Sequence, residues 1–172
     1  MTYVKTQLKR EITIPAIITI HYFEYMKDFA FKGESHDFWE FLYVDKGNIL
    51  VRAGDWELQM GAGDIVFHEP NEFHAFRAVG KSAINLVAVS FVTDSPGVDF
   101  FRKKAFILNE KERLILSALV SAAREALSTP INIPWIEQVG LREDAPYGAQ
   151  QMILQNLELF LLTLRREREE KA

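Results

Sequence analysis

Between Ile12 and Phe91, apolar and polar positions alternate in short runs, each bounded by a turn signal. The runs are ITIPAIITIHYFEY, FWEFLYVDKG, NILVRAG, DWELQMGAG, DIVFHEP, EFHAFRAVG and INLVAVSF. A period of two sends successive side chains to opposite faces of a strand, so each run is expected to bury one face. Lys46-Gly47 and Gly54-Asp55 are expected as hairpin turns, and Gly61, Gly63 and Gly80 close further turns. Pro15 marks an edge position or an irregular entry. Six or more short strands at this spacing imply an antiparallel sandwich or barrel.

After Ser95-Pro96-Gly97 the apolar period becomes helical. Asn109 is expected to cap a first helix, with Glu112 completing a capping box, and Ile115, Leu119, Ala122 and Ala126 keep one stripe. STPINIP ends that helix. A loop then runs to Tyr147, with Trp135 expected as its anchor on the body. Asp144 and Pro146 announce a second helix, from about Gly148 to Arg168. On it Ile153, Leu157, Phe160, Leu161 and Leu164 form one apolar stripe, which Met152, Leu154, Leu159 and Leu162 widen. A face this wide asks for more than one packing partner. The expectation is a homodimer: Ile153, Leu157, Leu161 and Leu164 on a partner chain, and the widening set holding the helix to its own domain. The final RREREEKA is read as a solvated charge run. The strand half (1–97) and the helical extension (98–172) are expected to pack as one structural unit.

Composition narrows the function. The chain has 172 residues, long enough for a substantial core. Its net charge of -4 argues against nucleic-acid binding by this chain alone, because phosphate contact relies on clustered Lys and Arg. The absence of cysteine excludes disulfides, thiolate metal sites and cysteine nucleophiles. The start MTYVKTQLKREITIP lacks the apolar core of a signal peptide, and no apolar run approaches the roughly 18 residues of a bilayer span. A cytoplasmic protein without membrane contact is expected. No Ser-His-Asp order, phosphate-cradling glycine loop or nucleotide motif stands out.

The chemistry concentrates in GESHDFWEFLYVDKG. Read as one strand, it puts Glu34, His36, Phe38, Glu40, Leu42 and Val44 on a single face, with Phe38, Leu42 and Val44 as core. Trp39, Phe41 and Tyr43 fall on the opposite face, where the helices can cover them. A carboxylate and an imidazole on a burying face must be satisfied by each other, by a metal or by a ligand. His68 and Phe76 fall at positions that can also face the interior.

His36, Glu40 and Gly47, at a spacing of three and then six intervening residues, resemble the first motif of the cupin barrel. GDIVFHEPNEFH, from Gly63 to His74, resembles the second. Glu34 stands where the family has a preceding histidine, Glu69 where it has proline, and Ala78 where many members have asparagine. The resemblance implies a mainly β fold: a cupin-like antiparallel β-barrel (jelly roll) followed by two C-terminal α-helices. It also implies that the motif strands bring Glu34, His36, Glu40 and His74 together. With the helical tail added, the chain from about Ile20 to Arg166 resembles the sensor half of an AraC-type transcriptional regulator. That resemblance implies a non-enzymatic module that binds a small-molecule effector in the barrel and dimerises through its C-terminal helix. DNA would be reached only through a helix-turn-helix domain, which nothing in this chain matches. His36, Glu40, His68, His74 and Phe76 are the expected ligand contacts. No cofactor is expected, because Glu34 weakens the histidine set. Glu34, His36, Glu40 and His74 nevertheless make a nitrogen-oxygen set suited to zinc, manganese, iron or nickel, and a small metal-dependent cupin enzyme, an isomerase or dioxygenase, is the alternative.

Overall fold

The computed structural model describes residues 1–169, and the side chains of all of these except residues 25 and 26. Nine strands precede and flank the helices: β1 (Ala16–Met26), β2 (Ala30–Glu34), β3 (Trp39–Lys46), β4 (Asn48–Ala53), β5 (Trp56–Gly61), β6 (Asp64–His68), β7 (His74–Val79), β8 (Ile84–Val92) and β9 (Ala105–Ile107). A short 3-10 turn, Pro96–Phe101, comes before β9, and α1 (Glu110–Ala126) and α2 (Ala149–Glu169) complete the described chain. The strands form two sheets, ordered β1-β8-β3-β6-β9 and β2-β7-β4-β5, with every pairing antiparallel. The sheets face each other as a jelly roll without closing into a continuous barrel. β1 is an edge strand, and Pro15 lies just before it, where no ladder hydrogen bond is lost. No described helix is long and apolar enough to cross a membrane.

The alternation within each strand separates two cores. Leu42, Val44, Ile49, Val51, Met60, Val66, Ile84 and Leu86 meet between the sheets. Phe41, Tyr43, Ile65, Phe67, Val87 and Val89 point from the outer face of the five-stranded sheet into a second core shared with both helices. There Phe41 packs on Phe160, with ring centroids 5.3 Å apart. Trp39, Phe41 and Tyr43 thus lie on the helix-covered side, as their alternation requires.

Four local expectations are corrected. Gly54-Asp55 is a two-residue hairpin turn, with Ala53 opposite Trp56, but Lys46-Gly47 carries the chain from one sheet to the other. Gly47 has φ +89°, and a Cβ there would come within 2.7 Å of the Ile84 side chain, so the crossing needs glycine. Residues 34–44 are not one strand: β2 ends at Glu34 and β3 begins at Trp39, so His36 and Phe38 belong to the link between sheets. Phe38 is half-buried and lies outside the core. Trp135, expected as the loop's anchor, is 76% exposed; Ile131 is buried instead, and its carbonyl accepts a hydrogen bond from the Tyr22 amide.

The helices carry the remaining corrections. Asn109 does cap α1 in a capping box with Glu112. On α2 the stripe expected on a partner chain is buried within this chain, and of the widening set Leu154 and Leu162 pack on the same core as expected. Ile153, Leu157, Phe160, Leu161 and Leu164 are buried in the chain's own core, whereas Met152 and Leu159 are about half exposed, at 49% and 50%. A β-sheet face offers a wide, flat apolar floor, and the most continuous stripe of the helix takes it. The charged end is also more than a solvated tail. Arg168 reaches the fully buried carboxylate of Glu112 with both terminal nitrogens, and Arg165 donates to the Gly97 carbonyl at 2.8 Å. Residues 170–172 of that run lie outside the described residues.

Candidate functional site

At one end of the sheet pair, the two halves of the jelly roll converge on a cluster of imidazoles and carboxylates. Glu40 is the first inward-facing residue of β3, and its strand neighbours in register are His68 on β6 and Ser90 on β8. From the other sheet, Glu34 ends β2 opposite His74, which begins β7. His36 projects from the link between them. The inward direction of Glu34 depends on an irregularity in the β2–β7 register and on Gly33, which has φ +115°. A Cβ at Gly33 would lie 2.3 Å from the Phe73 ring and 3.0 Å from the His74 carbonyl.

The ring nitrogens are oriented by the backbone. Nδ1 of His36 is 3.0 Å from the Phe38 carbonyl, and Nδ1 of His74 is 3.1 Å from the Glu72 carbonyl. A carbonyl can only accept, so both Nδ1 atoms carry the proton and both Nε2 atoms are turned toward the carboxylates. The Phe38 ring stacks flat on His36 at 3.7 Å and holds it there. Nε2 of His74 is 3.2 Å from Glu40 and 4.0 Å from Glu34; Nε2 of His36 is 3.6 Å from each of the same two carboxylates. Both Nε2 atoms are buried and lack a well-aligned hydrogen bond. Ser90 Oγ donates to Glu40 at 2.9 Å, fixing the carboxylate from behind.

Charge decides the protonation pattern. Burial works against ionisation of Glu40, but the imidazoles of His36 and His74 turned toward it, and the positive charge of His74, outweigh it and hold the carboxyl far below its ordinary range. Burial likewise works against a charged His74, yet its hydrogen bond and Coulomb attraction to Glu40 raise its pKa above 6.5. His68 is the opposite case. It is buried against the His74 ring at 4.2 Å, and burial drives its pKa down despite Glu72, 3.6 Å from its Nδ1. His21, stacked on Phe23 at 4.8 Å, is also lowered by burial. Three of the four histidines, His21, His68 and His74, are buried on strands, and His36 joins them from the link between β2 and β3.

Of the residues expected from sequence, Glu34, His36, Glu40 and His74 do come together, with one donor atom of each within 4.8 Å of the others. His68 abuts the cluster through His74. Phe76 lies further along β7 against Phe31 and the inter-sheet core. His21, Glu72 and Ser90 were not singled out by sequence. Ser90 had a signal: it is the one hydroxyl in the apolar run LVAVSFV.

The four clustered donors fit a divalent cation. Ligand bonds of about 2.0–2.2 Å place neighbouring donors about 3–3.5 Å apart, close to the nitrogen–oxygen spacings here. Histidines whose Nδ1–H is held by a carbonyl while Nε2 is free are also oriented as metal ligands are. A bound cation would displace the proton from His74 and would act as a Lewis acid toward a ligand oxygen. Three cavities, of about 360, 310 and 250 Å³, lie elsewhere: beside α2, under α1, and against the outer face of the four-stranded sheet.

Comparison with known proteins places this geometry. Residues 21–90 match the family model described as the cupin domain. No curated protein gives a significant match. Among solved structures, ToxT of Vibrio cholerae with an unsaturated fatty acid bound is 13% identical, with a TM-score of 0.53 over 92% of this chain and 56% of that one. A predicted oxalate decarboxylase from Thermotoga maritima is 17% identical over 43% of this chain and 65% of its own, with a TM-score of 0.41. The cupin domain of Cnp3 from Schizosaccharomyces pombe is 14% identical over 51% of this chain and 58% of its own, with a TM-score of 0.43. This chain thus spans less than two thirds of each of these proteins. At 13% identity the likeness to ToxT is one of fold.

Proposed function

Proceeding from a strand half with the cupin fold, we propose that the chain is the effector-sensing and dimerisation module of an AraC-type transcriptional regulator acting in the cytoplasm. One observation carries this reading: the two helices are built into the fold. They cover the outer face of the five-stranded sheet, and that face is the far side of the strands that hold Glu40 and Ser90. A small molecule bound against His36, Glu40 and His74 would press on β3 and β8, whose opposite faces carry Phe41 and Val89 in the core shared with the helices. Effector occupancy would thereby bias the position of the helices. The likeness to ToxT, which covers 92% of this chain and so reaches both helices, supports an effector-binding reading, since that protein holds an unsaturated fatty acid. Dimerisation would fall to the exposed stripe of α2 around Met152 and Leu159, since the other stripe is already buried.

The test is a reporter fusion. The chain is joined to a DNA-binding domain that needs dimerisation to act, and the reporter is read across a small-metabolite library. The expected result is a metabolite-dependent change in reporter output that is lost in the Glu40→Gln variant. A fusion that never activates, or a response indifferent to Glu40→Gln, would contradict the proposal.

The donor set favours a second reading, a small metal-dependent cupin enzyme. Equilibrium dialysis against Zn²⁺, Mn²⁺, Ni²⁺ and Fe²⁺ separates the two. Stoichiometric metal retained after washing, and lost in His36→Ala, would promote the enzyme; weak or absent retention keeps the sensor.

A further inference from the structure

A cavity of about 310 Å³ opens between α1 and the outer face of the five-stranded sheet, on the opposite side of that sheet from the histidine cluster. Its floor is a cross-strand row. Val87 of β8 is in register with Tyr22 of β1 on one side and Tyr43 of β3 on the other. The next row, Ile20, Val89 and Phe41, is fully covered by the helical core; in the tyrosine row Val87 and Tyr43 are still buried, at 3% and 5% exposure, and Tyr22 is the part-exposed member at the rim. The wall is a stripe of α1 that interrupts its apolar face: Arg113, Ser117 and Ser121 follow at intervals of four, and Arg124 continues it one turn on. All four are exposed. The Arg124 guanidinium lies 5.7 Å from the centre of the Tyr22 ring. Asp45, the acidic group lining the cavity, already accepts the Tyr22 hydroxyl at 2.7 Å.

Beside the buried Leu116 and Val120, α1 presents two guanidinium groups and two hydroxyls along the rim of a groove floored by two phenol rings and a valine. Guanidinium groups recognise carboxylates by charge-assisted hydrogen bonds, hydroxyls add donors, and the flat floor takes an apolar ring. We propose that this groove is a second ligand site, outside the jelly-roll interior, for a small ring-bearing carboxylic acid: its carboxylate on Arg124 and Ser121, its ring against Tyr22 at the rim of the tyrosine row, with Arg113, which already donates to the Leu108 carbonyl at 2.8 Å, adding only positive charge at the far end. A phenolic or amino substituent on that ring meets Asp45 beside the Tyr22 hydroxyl. The volume suits one small molecule.

The probe is 4-hydroxybenzoate, with inorganic phosphate as the anion that lacks a ring, and the readout is the amide spectrum of the ¹⁵N-labelled chain. The expected result is saturable shifts with 4-hydroxybenzoate confined to residues near Tyr22, Tyr43, Ser117 and Ser121, with phosphate shifting the same amides weakly or not at all. The variant Arg124→Gln should bind about tenfold more weakly, as the loss of a charge-assisted bond implies. Ser121→Glu, an exposed helix position that puts a carboxylate in the groove, should also abolish the shifts, and it keeps the test valid if the arginine variant does not fold. No saturable shifts, shifts centred on the histidine cluster, or binding unchanged in both variants would overturn the proposal.

Discussion

At the scale of single residues, the site is organised around Glu40. Its carboxylate is held by Ser90 on one side and faces the Nε2 atoms of His36 and His74 on the other. His74, with its pKa raised by Glu40, contributes stability that is fully present below 6.5 and is lost as pH rises through its folded value. Glu40, with its pKa depressed, contributes stability that is present above its ordinary 4.5 and is lost as pH falls through its folded value. The pair therefore stabilises the fold most between these two limits. His68 and His21 act in the opposite sense to His74: burial lowers both, so their contribution is present above 6.5 and is lost as pH falls. Glu40→Gln removes the principal group that keeps His74 charged and leaves burial to dominate. The imidazole of His74, followed by NMR titration, is expected to titrate above 6.5 in the wild type and below it in Glu40→Gln. An unchanged His74 titration would refute the assignment of Glu40 as its partner. This centre was legible only in part. The alternation of Glu40, Leu42 and Val44 gave the inward face correctly, but the same pattern carried back to Glu34 ran through a chain link. Gly33 adopts a positive φ there and re-aims Glu34, a turn that alternation of side chains does not register.

At the scale of elements, α2 is fastened at both ends of its contact with the body. Leu157 and Leu161 are fully buried under the sheet, and Arg168 satisfies a Glu112 carboxylate that has no exposure to water. Leu157→Ala should cost about 2–5 kcal/mol, from lost burial and an unfilled cavity. Arg168→Ala should cost about 3–5 kcal/mol, because it leaves a buried carboxylate without its cationic partner and with only the Asn109 amide of the capping box. Urea unfolding of the two variants checks both; midpoints within error of the wild type would mean that α2 is not docked as described. The width of the apolar surface on α2 was readable in the sequence, but its direction was not. Two stripes of leucines are equivalent until a sheet face of fixed shape chooses between them. The same limit applies to Lys46-Gly47, whose residue types suit a hairpin and a sheet crossing equally well. Trp135 shows the converse: a large aromatic suggests an anchor, and here the smaller Ile131 holds the loop.

At the scale of the whole molecule, the chain places a polar cluster on one side of a sheet and a helical layer on the other, so that three strands connect them. Met152 and Leu159 are the large apolar α2 residues that stay about half exposed, and the proposed dimer would use them. Light scattering is expected to give a dimer for the wild type and a folded monomer for Met152→Glu/Leu159→Glu, whereas charged residues at Leu157 and Leu161 should unfold the chain. A dimer that survives Met152→Glu/Leu159→Glu would move the interface off this helix. Reading the coding sequence in frame beyond Ala172 tests the regulator assignment most directly. A paired helix-turn-helix unit following the helices is the predicted result. A stop codon, or a continuation into a second catalytic domain, would contradict it.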